Sequence, residues 1–139
     1  MKTKYFCLVV AIVSIRALLA APPESAPDAT ALRWDADAKE CAVKAGETSA
    51  AFTFVVTNVS KADVVINRLQ ANCGCTAAQL PTMPYTLGAG SNVTINVEMQ
   101  LAGKYGLIKK SVMVESSAGL KTLVVSANIP TEPKLTETK

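Results

Sequence analysis

The stretch Asn92-Val93-Thr94-Ile95-Asn96-Val97-Glu98-Met99-Gln100-Leu101 decides the fold class of this chain. Val93, Ile95, Val97, Met99 and Leu101 fall on one side of an extended backbone; Thr94, Asn96, Glu98 and Gln100 fall on the other. Side chains alternate faces along a strand, so this period of two predicts a strand with one face in a core and one in water. Met99 keeps step with the apolar side and reads as a core residue rather than a metal ligand. The same alternation sets Phe52, Phe54 and Val56 against Thr53, Val55 and Thr57. Ile108, Lys110, Val112 and Val114 repeat it more weakly, while Asp63 to Leu69 and the β-branched run Leu120 to Ile129 supply two further strands.

Turn chemistry separates these runs. Ala45-Gly46, the polar stretch 58–63, the two glycines of 87–92, Gly103 to Gly106 and Ser116 to Gly119 punctuate the pattern, and no long segment has helical spacing. Strands are expected over 32–35, 40–44, 49–58, 63–70, 76–80, 91–101, 108–115 and 120–129. Short strands at this interval predict an all-β fold: an immunoglobulin-like antiparallel β-sandwich of seven to eight strands, not a βαβ fold. Trp34, the single tryptophan, is expected as a core or sheet-edge anchor. Asn58-Val59-Ser60 and Asn92-Val93-Thr94 fit the glycosylation triplet, a pattern frequent by chance and relevant only in a eukaryotic secretory pathway.

The N-terminal residues have the pattern of an export signal. Lys2 and Lys4 precede an apolar run from Tyr5 to Ile15, and Leu18-Leu19-Ala20-Ala21 offers small residues for cleavage, expected after Ala20. The run is far shorter than the roughly 20 apolar residues that span a bilayer, and Arg16 follows it directly, so no membrane span is expected after cleavage. The predicted organisation is a signal peptide over 1–20, a flexible proline-rich spacer over 21–31, one immunoglobulin-like domain over 32–130 and a polar tail over 131–139. Lys2, Lys4 and Arg16 leave with the signal, so the 14 basic residues fall to 11 against 11 acidic ones. A mature domain of zero net charge without a basic stripe excludes nucleic acid as a partner and argues against an anionic membrane surface.

Four segments taken together resemble one family. Ala51 to Ser60, Val65-Ile66-Asn67, Cys73-Gly74-Cys75-Thr76 and Gly103-Lys104-Tyr105-Gly106 are similar in kind and order to the domain of unknown function 1573 family, over about Leu32 to Ile129. The resemblance implies an exported bacterial immunoglobulin-like domain, similar to the PapD-like and major-sperm-protein sandwiches, located in the periplasm or secreted. It implies no established activity. Members of that family often carry Pro-Gly before the long central strand where this chain has Gly88-Ala89-Gly90, and Cys41 stands out as individual to this chain.

The chemistry available is concentrated in the cysteines. The chain has no histidine, which removes the commonest general base and metal ligand and rules out Ser-His-Asp and Cys-His arrangements. Asp35 and Asp37 read as solvated residues, and no glycine-rich phosphate loop is present. The expectation is therefore a non-enzymatic module without a cofactor. After signal removal three cysteines remain, Cys41, Cys73 and Cys75, an odd number for an oxidising compartment. A Cys73–Cys75 bridge would close a very small ring and, on an extended strand, would reach the upper limit of Cα separation, roughly 7 Å; Gly74 could relax the turn, leaving a strained and easily reduced bond. Pairing Cys41 with Cys73 or Cys75 would close a loop of about 30 residues and stabilise by about 3–4 kcal/mol on the loop-entropy account.

Three readings follow. In the first, the cysteines staple a binding or structural module of the bacterial cell envelope, whose exposed strand edges accept another envelope protein. In the second, Cys73 and Cys75 hold copper(I), since soft thiolates select that ion, with Cys41 or Met83 as third ligand. In the third, the pair performs thiol–disulfide exchange. The first is the principal expectation.

Overall fold

A computed structural model describes residues 28–130 of the 139-residue chain. The expected signal peptide, most of the expected spacer and the polar tail lie outside the described residues. Nine strands form among them: β1 (Leu32–Trp34), β2 (Ala38–Ala42), β3 (Ser49–Asn58), β4 (Val64–Ala71), β5 (Thr76–Gln79), β6 (Tyr85–Leu87), β7 (Asn92–Gln100), β8 (Gly106–Ser116) and β9 (Gly119–Ile129). They build two sheets, one ordered β1-β3-β7-β5 and the other β2-β9-β8-β4-β6. The all-β sandwich expected from the alternation is the fold.

The core lies between the two sheets, where the inward positions of both meet. Phe54, Ile95 and Met99 from one sheet and Ile66, Val112, Leu123, Val125 and Ala127 from the other are completely buried. Every apolar member of the β7 alternation, Val93 to Leu101, is buried, and its polar members are exposed. Period-two patterning thus fixes which face of each strand turns inward. Trp34 is half-buried on edge strand β1 and packs against the main core.

Three features depart from the sequence reading. First, Tyr85–Leu87 forms β6, pairing with Val64, Val65 and Ile66 of β4. The run is three residues long and carries no alternation of its own, so a tertiary neighbour is what makes it a strand. Second, the sandwich is antiparallel except at one edge, where β2 runs parallel to β9 from Ala38↔Val124 to Ala42↔Asn128. The chain crosses from one sheet to the other between Trp34 and Ala38, and it arrives beside β9 running in the same direction. Third, the end of the stretch expected as flexible spacer belongs to the fold. Ala31 N–H donates to the Asp28 carbonyl oxygen and Val59 N–H donates to that of Ala31. Ala31 is buried beside Val64 and Ala118, so burial of one small apolar residue extends the domain N-terminally.

The buried polar residue Asn58 organises the β3–β4 turn. Its Nδ2 donates to the carbonyl oxygens of Ala62 and Leu87, and its Oδ1 accepts from Ser60 N–H and Ser60 Oγ. Gly90 comes in beside it: its N–H donates to the Asn58 carbonyl at a φ of +73°, a backbone conformation costly to residues with a Cβ. Asn58 is fully buried, which removes the acceptor side chain of the first glycosylation triplet from the accessible surface of the folded domain.

Candidate functional site

Cys73-Gly74-Cys75 forms the corner where the chain leaves β4 of one sheet and starts β5 of the other. The corner is bent rather than extended, which brings the two Cα atoms to 5.4 Å, inside the range of an ordinary bridge. The sulfurs are bonded to each other. Cys41 is a free thiol. This corrects the expected pairing of Cys41 with Cys73 or Cys75. Cys41 sits on β2, and strands β9 and β8 intervene before β4; three strand spacings amount to about 14 Å. The separation near the limit, expected for an extended strand, is shortened by the bend at Gly74.

Thr76 begins β5 and is buried. Its Oγ1 lies 3.6 Å from Cys73 Sγ and 3.9 Å from Cys75 Sγ. In sequence it is only the last residue of the Cys73-Gly74-Cys75-Thr76 segment, with no role of its own. The third ligand that a copper site would draw from Cys41 is held away by the topology, and Met83 is exposed in the β5–β6 connection. Among the described residues no group of three Cys, Asp or Glu side chains gathers.

A second feature borders the same corner. Strand β8 pairs with β9 along its whole length, from Gly106↔Ile129 to Ser116↔Gly119. On its other side β4 reaches only Val112, opposite Ala71. Asn72 ends the contact: its N–H donates to the Ser111 carbonyl oxygen and its Oδ1 accepts from Ser111 N–H. Backbone groups alternate sides along a strand, so those of Lys109 and Leu107 point the same way as those of Ser111. No described strand lies there. The result is a notch in the sheet, with exposed Leu107 and Tyr105 along it. Lys104, Lys109 and Lys110 surround it, none in an ion pair among the described residues, and no acidic residue occurs between Glu98 and Glu115.

Asp35 and Asp37 stand apart from both features. Asp35 bridges the start of the sandwich: its Oδ2 accepts from Lys39 Nζ at 2.6 Å and its Oδ1 from Val55 N–H at 3.0 Å. Slight desolvation pulls the Asp35 pKa upward, but the Lys39 and backbone hydrogen bonds together outweigh it and hold the group below the usual carboxylate range. Lys39 also lies over the Phe54 ring, 5.2 Å from its centroid. Asp35 and Asp37 pair separately, with Lys39 and Lys121, so they do not act as a carboxylate dyad.

Two stacked sheets of this topology define the class: an immunoglobulin-like, PapD-like sandwich. Residues 32–129 match the family of proteins of unknown function DUF1573, and the chain belongs to that family. No curated protein matches the chain in sequence. Among solved structures it is similar to a protein of unknown function from Porphyromonas gingivalis W83, with TM-score 0.60 and 8% identity, over 70% of this chain and 46% of that one. It is also similar to PapD-like domain 7 of human CEP192, with TM-score 0.58 and 11% identity, over 95% of this chain and all of that domain. The VesB protease of Vibrio cholerae contains a similar fold, with TM-score 0.53 and 13% identity, over 73% of this chain and 32% of the protease. The chain thus spans about half the length of the Porphyromonas protein and about a third of the protease. At these identities the likeness is one of fold.

Proposed function

We propose that this protein is an exported, non-enzymatic binding module of the bacterial cell envelope, periplasmic or secreted, that takes an extended acidic segment of another envelope protein into the β8 notch. The observation that carries this reading is the backbone of Leu107 and Lys109, unpaired on this side among the described residues, inside an otherwise continuous sheet. An extended segment laid there would continue the line of β4, with main-chain hydrogen bonds giving affinity and side-chain contacts giving selectivity. The outer edges are less suited to the task. Strands β1, β5 and β6 are three to four residues long, and β2 exposes Glu40 beside Lys39. Short and charged edges discourage strand addition. The uncompensated lysines around the notch favour an acidic segment. Export rests on the basic start and apolar run of the first 20 residues, and a non-enzymatic role on the lack of imidazole in the sequence and the separate pairing of Asp35 and Asp37.

Lys109→Pro tests this directly. It removes an N–H that faces the notch and leaves the β8–β9 hydrogen bonds intact, so the domain should keep its melting temperature within a few degrees. With a photoreactive side chain placed at position 107, protein in the periplasm should give one discrete adduct that Lys109→Pro abolishes. The same probe at position 120, on the exposed β9 face, should not give it. An adduct insensitive to Lys109→Pro would sink the notch assignment. Recovery of the unprocessed chain from the cytoplasm would sink the envelope assignment.

A further inference from the structure

The Cys73–Cys75 bridge is poorly placed to stabilise anything. A disulfide stabilises by restricting a long loop in the unfolded chain, and this one encloses a single residue, Gly74. Its corner is already held by backbone hydrogen bonds. Asn72 N–H donates to the Ser111 carbonyl oxygen at 3.0 Å, Thr76 N–H to that of Cys73 at 3.4 Å, and Gln100 N–H to that of Cys75 at 2.7 Å. Strand pairing fixes both ends independently, β4 on β8 and β5 on β7. The bond is also reachable. Gly74 is exposed, both cysteines are only half-buried, and a Cβ built on Gly74 would meet no atom within 4 Å.

Thr76 supplies a reason for chemistry at this point. Its hydroxyl is the polar group shared by both sulfurs, nearer to Cys73 at 3.6 Å than to Cys75 at 3.9 Å. A hydroxyl that donates to sulfur favours thiolate over thiol, and thiolate is the form that leaves and attacks in exchange. Cys41 is too far away, on β2, to act as a third partner.

We propose that Cys73–Cys75 is a reversible thiol–disulfide exchange centre that accepts two electrons from an external dithiol, with Thr76 as a positioning residue. A thiolate of the dithiol attacks Cys75 Sγ and forms a mixed disulfide. The Cys73–Cys75 bond breaks, and its electron pair stays on Cys73 Sγ beside the Thr76 hydroxyl. The second thiolate of the dithiol then attacks its own partner sulfur, displacing Cys75 as thiolate. The dithiol departs as a disulfide, its two protons pass to Cys73 and Cys75, and the reverse sequence reoxidises the centre. The inference does not depend on the notch.

The test uses the mature protein, equilibrated with reduced and oxidised glutathione, with thiols counted by alkylation and mass and the fold followed by circular dichroism. The expected result is interconversion of Cys73 and Cys75 within minutes and an unchanged spectrum. Cys73→Ser/Cys75→Ser should melt within a few degrees of wild type. In the reduced protein at pH 7, Thr76→Val should slow alkylation of the pair by about threefold or more, and Thr76→Ser should restore it. A bond that resists excess reduced glutathione, or yields only as the domain unfolds, would overturn the proposal. A fall of more than about 10 °C in the double variant would make the bridge a staple and overturn it equally. Thr76→Val alkylated as fast as wild type would remove Thr76 from the mechanism.

Discussion

Replacing Asn58 by alanine tests the polar centre of the fold. The side chain makes four hydrogen bonds: 2.8 Å to the Ala62 carbonyl, 2.9 Å to that of Leu87, 3.0 Å from Ser60 N–H and 2.7 Å from Ser60 Oγ. Ser60 is near the surface, and its groups regain water in the variant. The Leu87 carbonyl does not, because Leu87 is buried. Only the bond to Leu87 is lost without replacement, and about 1 kcal/mol net for it, plus about 1–3 kcal/mol for its acceptor left unsatisfied in the interior, gives a loss of about 2–4 kcal/mol. In a domain of this size that lowers the melting temperature by about 10–25 °C. Urea denaturation at constant pH measures it. Asn58→Asp sharpens the test. Its carboxylate would face two carbonyl oxygens with no proton to offer, so the folded state prefers the neutral acid and raises its pKa. The variant should therefore gain stability relative to wild type as pH falls through the carboxylate range. A loss below about 0.5 kcal/mol in Asn58→Ala, or no relative recovery of Asn58→Asp in acid, would refute this account of the turn.

Three further predictions concern the rest of the sandwich. Asp35 has a lowered folded-state pKa, so its stabilisation is present above its unfolded value and is lost as pH falls through the folded one; Asp35→Asn should flatten the fall in urea midpoint below about pH 4, and an unchanged slope would count against it. Phe54→Ala should lose about 3–5 kcal/mol of unfolding free energy, because the ring is completely buried between the sheets. Intact mass after alkylation should show one modified thiol, Cys41, in the unreduced mature protein and three after reduction; two or more in the unreduced protein would contradict the Cys73–Cys75 bond.

Much of the fold is legible because burial acts on each strand locally. The alternation of Val93 to Leu101 needs only the chain's own pleat to sort apolar from polar side chains, and β3 follows the same rule at Phe52, Phe54 and Val56. The candidate sites are less legible. Cys73-Gly74-Cys75 stands out by composition, yet whether its sulfurs meet each other or Cys41 depends on the bend at the corner and on the strands between. Thr76 gains its relation to both sulfurs only from that bend.

By itself, then, the sequence determined the all-β class, the inward face of the central strands, the lack of imidazole chemistry and the location of the Cys73-Gly74-Cys75 motif. These follow from residue type and short-range periodicity. Tertiary structure alone decided the parallel β2–β9 edge, the short strand β6, the partner of each cysteine and the notch beside β8. Each of these depends on which distant segment lies alongside. Asn72 shows why: it ends β4 against Ser111, 39 residues away, and leaves Leu107 and Lys109 without a neighbour on that side among the described residues. No local pattern in residues 106–111 records that β4 stops short, because strand length is read within a segment and strand pairing between segments.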